Sequence, residues 1–463
     1  MSLPEGPKEP MIWQMLQWIM TPISFMRHCH SRHGDQFTVR LARSLPPVVF
    51  CCDPKSLQII LAKDESELFD APGELNALFE PLLGSQSVIT LSGDPHRRMR
   101  LLLLPPLHGE QMRSYGQLIQ RITQDVMGEW QIGLPFAVRK AMQTISLRVI
   151  LRAVFGLEDG PRYQQLERLL GSLLDQLGHP ASVSFMYFPV LRKYLGPVTP
   201  WARVARAEDE IDRLLFNEIS ERRACQQESP EDILTMLMSA RDATGETLTE
   251  QELRDELMTL LVAGHETTAT ALAWALHWIH KSPQVRSRLM DELRSLEDPV
   301  DSGALSRLPY LNAVCSETLR ICPVGMLTFP RITKSRVELM GSSLDPGTVV
   351  AGCIYLAHHR KEVYPDPDVF RPERFQERRY SPYEYLPFGG GARRCIGMAF
   401  AQFEIKIVLG TVLLGVELAH SRRRGVRLVR RGLTSGPSPF RMVVEKRRRT
   451  KFAGSTQAPA LSS

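Results

Sequence analysis

The chain has 463 residues, of which 43% are apolar and 23% charged, with a formal net charge of +6. That apolar share excludes a disordered protein and is ample for a large core. The positive charge belongs to the end of the chain: from Ser421 onward there are twelve Lys or Arg against one acid, so the first 420 residues are net acidic. The basic runs at 422–424 and 446–449 carry no interleaved aromatic residues on which bases could stack. They argue for a solvated cationic face or an acidic protein partner, and against nucleic acid. The eight cysteines show no CxxC spacing, which suits a reducing cytoplasm.

The start, MSLPEGPKEP, lacks a basic segment followed by an apolar run and a cleavage site, so no leader is expected. Residues 11–30 read as one helix. QFTVR (36–40) and PVVFCC (47–52) read as paired strands, with Cys51 and Cys52 packed rather than bonded. Helical periodicity then dominates at 97–104, 113–129, 139–155, 163–177, 201–225 and 231–239. Between two of these helices lies an apolar loop, HPASVSFMYFP (179–189), too short to span a membrane.

The longest predicted element follows. Thr249 and Glu252 form a capping box that opens a helix, and Ser282-Pro283 stops it. At 1.5 Å per residue the rod is about 46 Å long. Its middle is apolar on nearly every face, but His265, Glu266, Thr267 and Thr268 are costly at a bilayer midplane. A helix crossing the core of a globular protein is the better reading. Short strand signals follow residue 328, then a Pro-rich meander. No linker divides the chain, so residues 1–452 are expected to form a single, mainly α domain with smaller β-sheets, and 453–463 a disordered tail.

The most informative segment is FGGGARRCIG, Phe388–Gly397. Phe, Gly, Arg, Cys and Gly at these spacings would arise by chance in a chain this long with a probability on the order of 10⁻⁴. Glycines let backbone lie flat beneath a macrocycle and supply turns with φ > 0. An apolar-rich helix is predicted behind Cys395 over 396–418, and its N-terminal N–H groups would stabilise a thiolate. A thiolate ligand pushes electron density onto haem iron and favours O–O cleavage. The bland alternative is a glycine loop with a buried structural cysteine.

This segment resembles the haem-binding signature of the cytochrome P-450 superfamily. The resemblance implies haem b between the long central helix and the cysteine-led helix, with Cys395 as the metal ligand and Phe388 and Gly397 flanking it. Ala263-Gly264-His265-Glu266-Thr267-Thr268 resembles the family's oxygen-activation motif. Ala263 and Gly264 would let the macrocycle and O2 lie close to the helix. Thr267, whose hydroxyl can bond back one turn, would steady protonation of dioxygen, and Glu266 would gate proton delivery. Glu317 and Arg320, with Arg374 in FRPERF, match the family's buried structural triad. His96 and Arg100 in GDPHRRMR, Arg331 in TFPRIT, and Arg393 match contacts to the haem propionates.

The segments 69–90, Val324–Leu327 and 433–437 match variable substrate-recognition regions. Val324, Met326 and Leu327 join Ala263 and Thr267 as candidate substrate contacts, and Phe185, Met186, Tyr187 and Phe188 are a candidate lid. The implied reaction inserts one oxygen atom from O2 into a C–H bond of an apolar molecule such as a long-chain fatty acid or terpene. The alternatives are a haem-thiolate isomerase or peroxygenase needing no electron partner, and a non-catalytic haem sensor. Electrons are expected from a separate ferredoxin or flavodoxin with its reductase, docking on a positive surface formed by Arg393, Arg394 and the basic end. A cytoplasmic bacterial monomer without a transmembrane anchor is expected, at most loosely membrane-associated.

Overall fold

The computed structural model describes residues 3–43, 45–64, 66–109, 111–156, 160–177, 200–224, 232–422, 425–432, 434–448, 450 and 452. The candidate lid Phe185–Phe188, Leu433, Arg423, Arg424, Arg449, Cys225 and the 453–463 tail lie outside them. The axis of the fold is the helix Glu250–Lys281. Its capping box is complete: Thr249 Oγ1 accepts from Glu252 N at 3.2 Å, and Glu252 Oε2 accepts from Thr249 N at 2.8 Å. The next helix starts at Pro283, as Pro at a first turn allows. Val138–Phe155 and the cysteine-led helix Met398–Gly415 pack against this axis. Between them is the larger of two hydrophobic cores.

The second core lies under a five-stranded sheet in the order Gln36–Val39, Val48–Cys51, Val349–Gly352, Arg331–Thr333, Phe69–Asp70. Val48–Cys51 and Val349–Gly352 run parallel, and the other neighbours are antiparallel. Residues 331 and 69 are thereby brought together from distant parts of the chain.

Two sequence expectations need correction. The helix read over 11–30 is two, Met11–Met20 and Pro22–His33, because Pro22 cannot donate to the preceding turn. The cysteine-led helix stops at Gly415, and the β-branched Val416 begins the strand Val416–His420. Met398–Gly415 is also the one helix among the described residues long and apolar enough to span a membrane, and it is packed in the core.

The core contains titratable groups held in their neutral forms. Burial pushes His265 and His277 down to about 4 and His280 to about 3. Burial pushes Glu404, on the cysteine-led helix, up to about 8. The signs oppose. The unfolded histidines take up protons below about pH 6.5, so their stabilisation is lost as pH falls from there toward 4. Unfolded Glu404 ionises above about pH 4.5, so its stabilisation is lost as pH rises toward 8. Thermal unfolding followed from pH 5 to 9 should therefore show a maximum near neutrality. Glu404→Gln should flatten the alkaline decline and leave the acid limb intact; an unchanged alkaline limb would remove Glu404 from this account.

Candidate active site

Cys395 sits three residues before the helix Met398–Gly415, at the end of a tightly folded loop. Gly389 N donates to Leu386 O at 3.0 Å, Arg394 N to Gly391 O at 3.0 Å, and Cys395 N to Phe388 O at 2.9 Å. Gly391 has φ +64°, and a Cβ there would stand 2.0 Å from Asp64 Oδ2 and 2.6 Å from Leu61 O. Glycine is required on both counts. Cys395 is exposed, whereas the other six described cysteines are buried. Protein nevertheless crowds round its sulfur. That burial raises the thiol pKa, opposed by the Gly397 backbone N–H and the charges of Arg100 and Arg394.

The axial helix is closed along most of its second half but opens near its middle. Ala263 is exposed and Leu260, Gly264 and Thr267 are half-buried, on one face. Thr267 Oγ1 donates to Ala263 O at 2.6 Å, the back-bond read from sequence. A Cβ at Gly264 would instead meet Ile150 Cδ1 at 3.3 Å, so this glycine also serves close helix packing. Glu266 points toward the helix Val138–Phe155. Its carboxylate accepts from Arg139 Nη2 at 2.6 Å, Gln143 Nε2 at 2.9 Å and Thr270 Oγ1 at 3.4 Å. His265 is turned away as well, its Nε2 3.1 Å from Gln143 O.

His96 is buried among arginines. Burial first, then the charges of Arg393, Arg100 and Arg331, push it down to about 3, so the imidazole is neutral in a positive field. Arg331 also makes contacts that sequence did not anticipate. Its Nε and Nη2 donate to Asp64 Oδ2 at 3.0 and 2.7 Å, its Nη1 to Phe329 O at 2.7 Å, and its Nη2 to Gly390 O at 2.9 Å. Asp64 Oδ2 also accepts from Ala392 N at 2.8 Å. Nothing local in the sequence marks Asp64, because its partners lie more than 260 residues away.

Arg393 is buried, its guanidinium donating to the carbonyls of Ala71, Val88 and Leu91. It cannot form part of an exposed docking surface, contrary to the sequence expectation; Arg394 is exposed. Arg448, in the second basic run, lies elsewhere too. Arg448 N donates to Gly415 O, at the far end of the cysteine-led helix, roughly 25 Å from its start at 1.5 Å per residue.

Glu317, Arg320 and Arg374 meet in the core. Arg320 Nε and Nη2 lie 2.7 and 2.8 Å from the two Glu317 oxygens, and Arg374 Nε is 3.1 Å from Oε1. All three are almost fully buried. Arg320 Nη1 also holds His358 O at 2.8 Å, while His358 Nε2 accepts from Leu386 N at 2.9 Å, just ahead of the thiolate loop. Of the candidate substrate contacts, Val324 and Met326 are buried in the two cores and Leu327 is half-buried. Phe79, in the 69–90 segment singled out from sequence, and Phe329, which sequence reasoning missed, form a half-buried edge-to-face pair with centroids 6.1 Å apart.

This donor set suits an anionic cofactor whose metal accepts a thiolate. His96, Arg331 and Arg393 are buried and Arg100 half-buried, a positive cluster suited to anionic groups, and Cys395 is exposed just ahead of a helix. That is the donor chemistry of a haem-thiolate protein. The chain belongs to the cytochrome P-450 family, whose sequence profile matches residues 4–444. It is 36% identical over 428 residues to cytochrome P-450 135B1 of Mycobacterium tuberculosis, covering 92% of this chain and 88% of that one. It is 31% identical over 453 residues to cytochrome P-450 138 of the same organism, covering 96% and 97%. Among solved structures, the retinoic acid-bound cyanobacterial CYP120A1 superposes with a TM-score of 0.81 at 25% identity, covering 96% of this chain and 99% of that one. The protein is therefore a haem-dependent monooxygenase that uses O2, an apolar substrate and a redox partner.

The loop geometry yields a test. Gly391→Ala forces a side chain into left-handed backbone and against Asp64, costing at least about 1–2 kcal/mol locally. The variant should lose haem on mild heating, read as decay of the reduced-CO Soret band, well before the wild type. Equal retention would show that the Asp64 clamp is dispensable.

Proposed function

We propose that Cys395 ligates haem b, with His96 and Arg100 toward its propionates, and with Arg331 and Arg393, whose donors are held by Asp64 and by backbone carbonyls, completing the positive field there. The observation that carries this is the occurrence of one exposed cysteine in a tight glycine loop together with an opening, at Ala263 and Thr267, in the middle of a largely buried core helix. When bound, haem with a thiolate ligand supplies the activation of O2 for insertion of one oxygen atom into a C–H bond.

The chain's own residues move the protons. Thr267 holds a hydroxyl at the window, tied at rest to Ala263 O. Releasing that bond lets it donate toward the reacting oxygen, and the freed carbonyl can hold a water. Glu266 is the nearest acid on the same helix. Its pairing with Arg139 and Gln143 keeps it facing away from the window, so proton delivery requires that pairing to break and the carboxylate to swing. Arg139 is thus a latch on proton supply.

We infer a long-chain fatty acid or terpene-like substrate. Leu327, Phe79, Phe329 and the small Ala263 provide apolar surface with little hydrogen bonding, and the cyanobacterial neighbour holds retinoic acid, an apolar carboxylate. A cytoplasmic enzyme reduced by a separate ferredoxin or flavodoxin fits best, with Arg394 on the cysteine side as its steering charge. Titrating ligand-induced spin-state change across fatty acids and terpenoids tests the substrate class; response to neither would reject it.

Cys395→Ser should abolish the red-shifted Soret band of the reduced CO complex, since no other described cysteine is exposed. A retained band would overturn the ligand assignment. Thr267→Ala should keep haem and substrate binding but divert reducing equivalents to peroxide, lowering product per electron pair severalfold. Glu266→Gln should slow turnover without that loss of coupling, because an amide cannot pass on a proton. Unchanged coupling in the first variant, or unchanged turnover in the second, would remove that residue from the proton path.

A further inference from the structure

The helix Met11–Met20 contains no charged residue. One face, with Gln14, Met15, Trp18 and Ile19, is buried in the fold. The opposite face would ordinarily be polar. Instead Ile12 is 54% exposed, Trp13 57%, Leu16 41% and Met20 66%, with Gln17 as the polar residue among them. These four are among ten exposed large hydrophobics in the described residues, and Leu45 makes a fifth in the connection between the first two strands. Scattered apolar residues on a surface need no explanation; a concentration on one short helix does.

The helix is held rigidly in this orientation. Gln14 Oε1 accepts from Arg40 N at 3.0 Å, and Gln14 Nε2 donates to Pro7 O at 3.0 Å and Glu9 O at 2.9 Å. Thr38 Oγ1 donates to Pro4 O at 2.6 Å. Arg430 Nη1 donates to Trp18 O at 2.6 Å, with its guanidinium 5.2 Å from the Trp18 ring centre. Turning the apolar face inward would break these contacts.

The same bonds bring charge to the edge of the patch. Across 3–20 and the connection 40–47, the exposed charged side chains are Lys8, Arg40 and Arg43 against the single acid Glu5. An uncharged ten-residue helix is about 15 Å long, half a bilayer's hydrocarbon thickness, so it cannot span. An apolar face with a tryptophan, bordered by cations, is the composition of a helix that lies in the plane of a membrane interface.

We propose that the exposed face of Met11–Met20, bordered by Lys8, Arg40 and Arg43, docks the enzyme reversibly on an anionic lipid surface. The occupant is the bilayer itself, favoured over an acidic protein because the apolar residues, not the cations, form the centre of the patch. One flat helix gives weak, salt-sensitive attachment rather than permanent anchoring. A surface of this kind would place the fold beside the phase in which a poorly soluble substrate is concentrated.

The test is flotation of the haem-loaded full chain with phosphatidylcholine vesicles, with and without phosphatidylglycerol. Binding is expected to the anionic vesicles and to fall as salt rises. Trp13→Ser should weaken it by about tenfold or more, the loss expected for one large apolar side chain. Arg40→Glu with Arg43→Glu should remove the preference for anionic lipid. Met340→Ser, an exposed apolar site elsewhere, should change nothing. All variants must retain the wild-type reduced-CO band, which keeps folding separate from docking. No flotation with anionic vesicles overturns the proposal, as does flotation that Trp13→Ser leaves intact. A dimer in gel filtration that Trp13→Ser dissociates also overturns it, because a second copy then covers the face.

Discussion

The loop that carries Cys395 holds one conformation although its glycines offer almost nothing to pack. The rest of this fold is arranged round that constraint. Asp64 Oδ2 takes hydrogen bonds from Ala392 N and from Arg331, and Arg331 reaches on to the Gly390 carbonyl. Backbone and sheet are thus joined through one buried carboxylate. On the approach to the loop, Leu386 N rests on His358, whose carbonyl rests on Arg320. The loop's entrance is therefore tied to the Glu317–Arg320–Arg374 cluster. Breaking such a buried cluster by removing one partner costs about 3–5 kcal/mol, because the remaining charge is stranded. The same figure measures how firmly the cluster holds its place.

One segment connects the two walls of the site. Residues 84–91 are bonded to the axial helix through Asp255 (from Gln86 N, 2.8 Å), Glu256 (from Val88 N, 2.5 Å) and Thr259 (with Ser87 Oγ, 2.7 Å). The carbonyls of Val88 and Leu91 are bonded to Arg393 of the thiolate loop. Burial raises the Glu256 carboxyl pKa well above its ordinary range, opposed by the hydrogen bond from Val88 N. A substrate that displaced residues 84–91 would be felt at both the oxygen-side helix and the cysteine loop.

The axial helix divides its polar residues by direction. Thr267 stays on the open face, while His265 and Glu266 turn toward Arg139 and Gln143. Five successive residues thereby serve an open face and a neighbouring helix at once, which a 3.6-residue period makes possible.

Much of this was legible in the chain. The capping box, Pro283, the period of the helices and the motif round Cys395 are local signals, and each describes what happens within a few residues of itself. They determined the mainly α character, the bounds of the axial helix and the Glu317–Arg320 pair, and they singled out Cys395, Thr267 and Glu266 as candidates. Pro22 was equally local and was misread as helix interior. Tertiary structure alone decided that Asp64 clamps the loop, that Arg393 turns inward to backbone carbonyls, that Glu266 is paired with Arg139, and that Arg448 sits at the far end of the cysteine-led helix. Those outcomes depend on which donors meet which acceptors across hundreds of residues. A pairing of that kind leaves no periodicity in the sequence; it exists only once the sheet and the helices have packed.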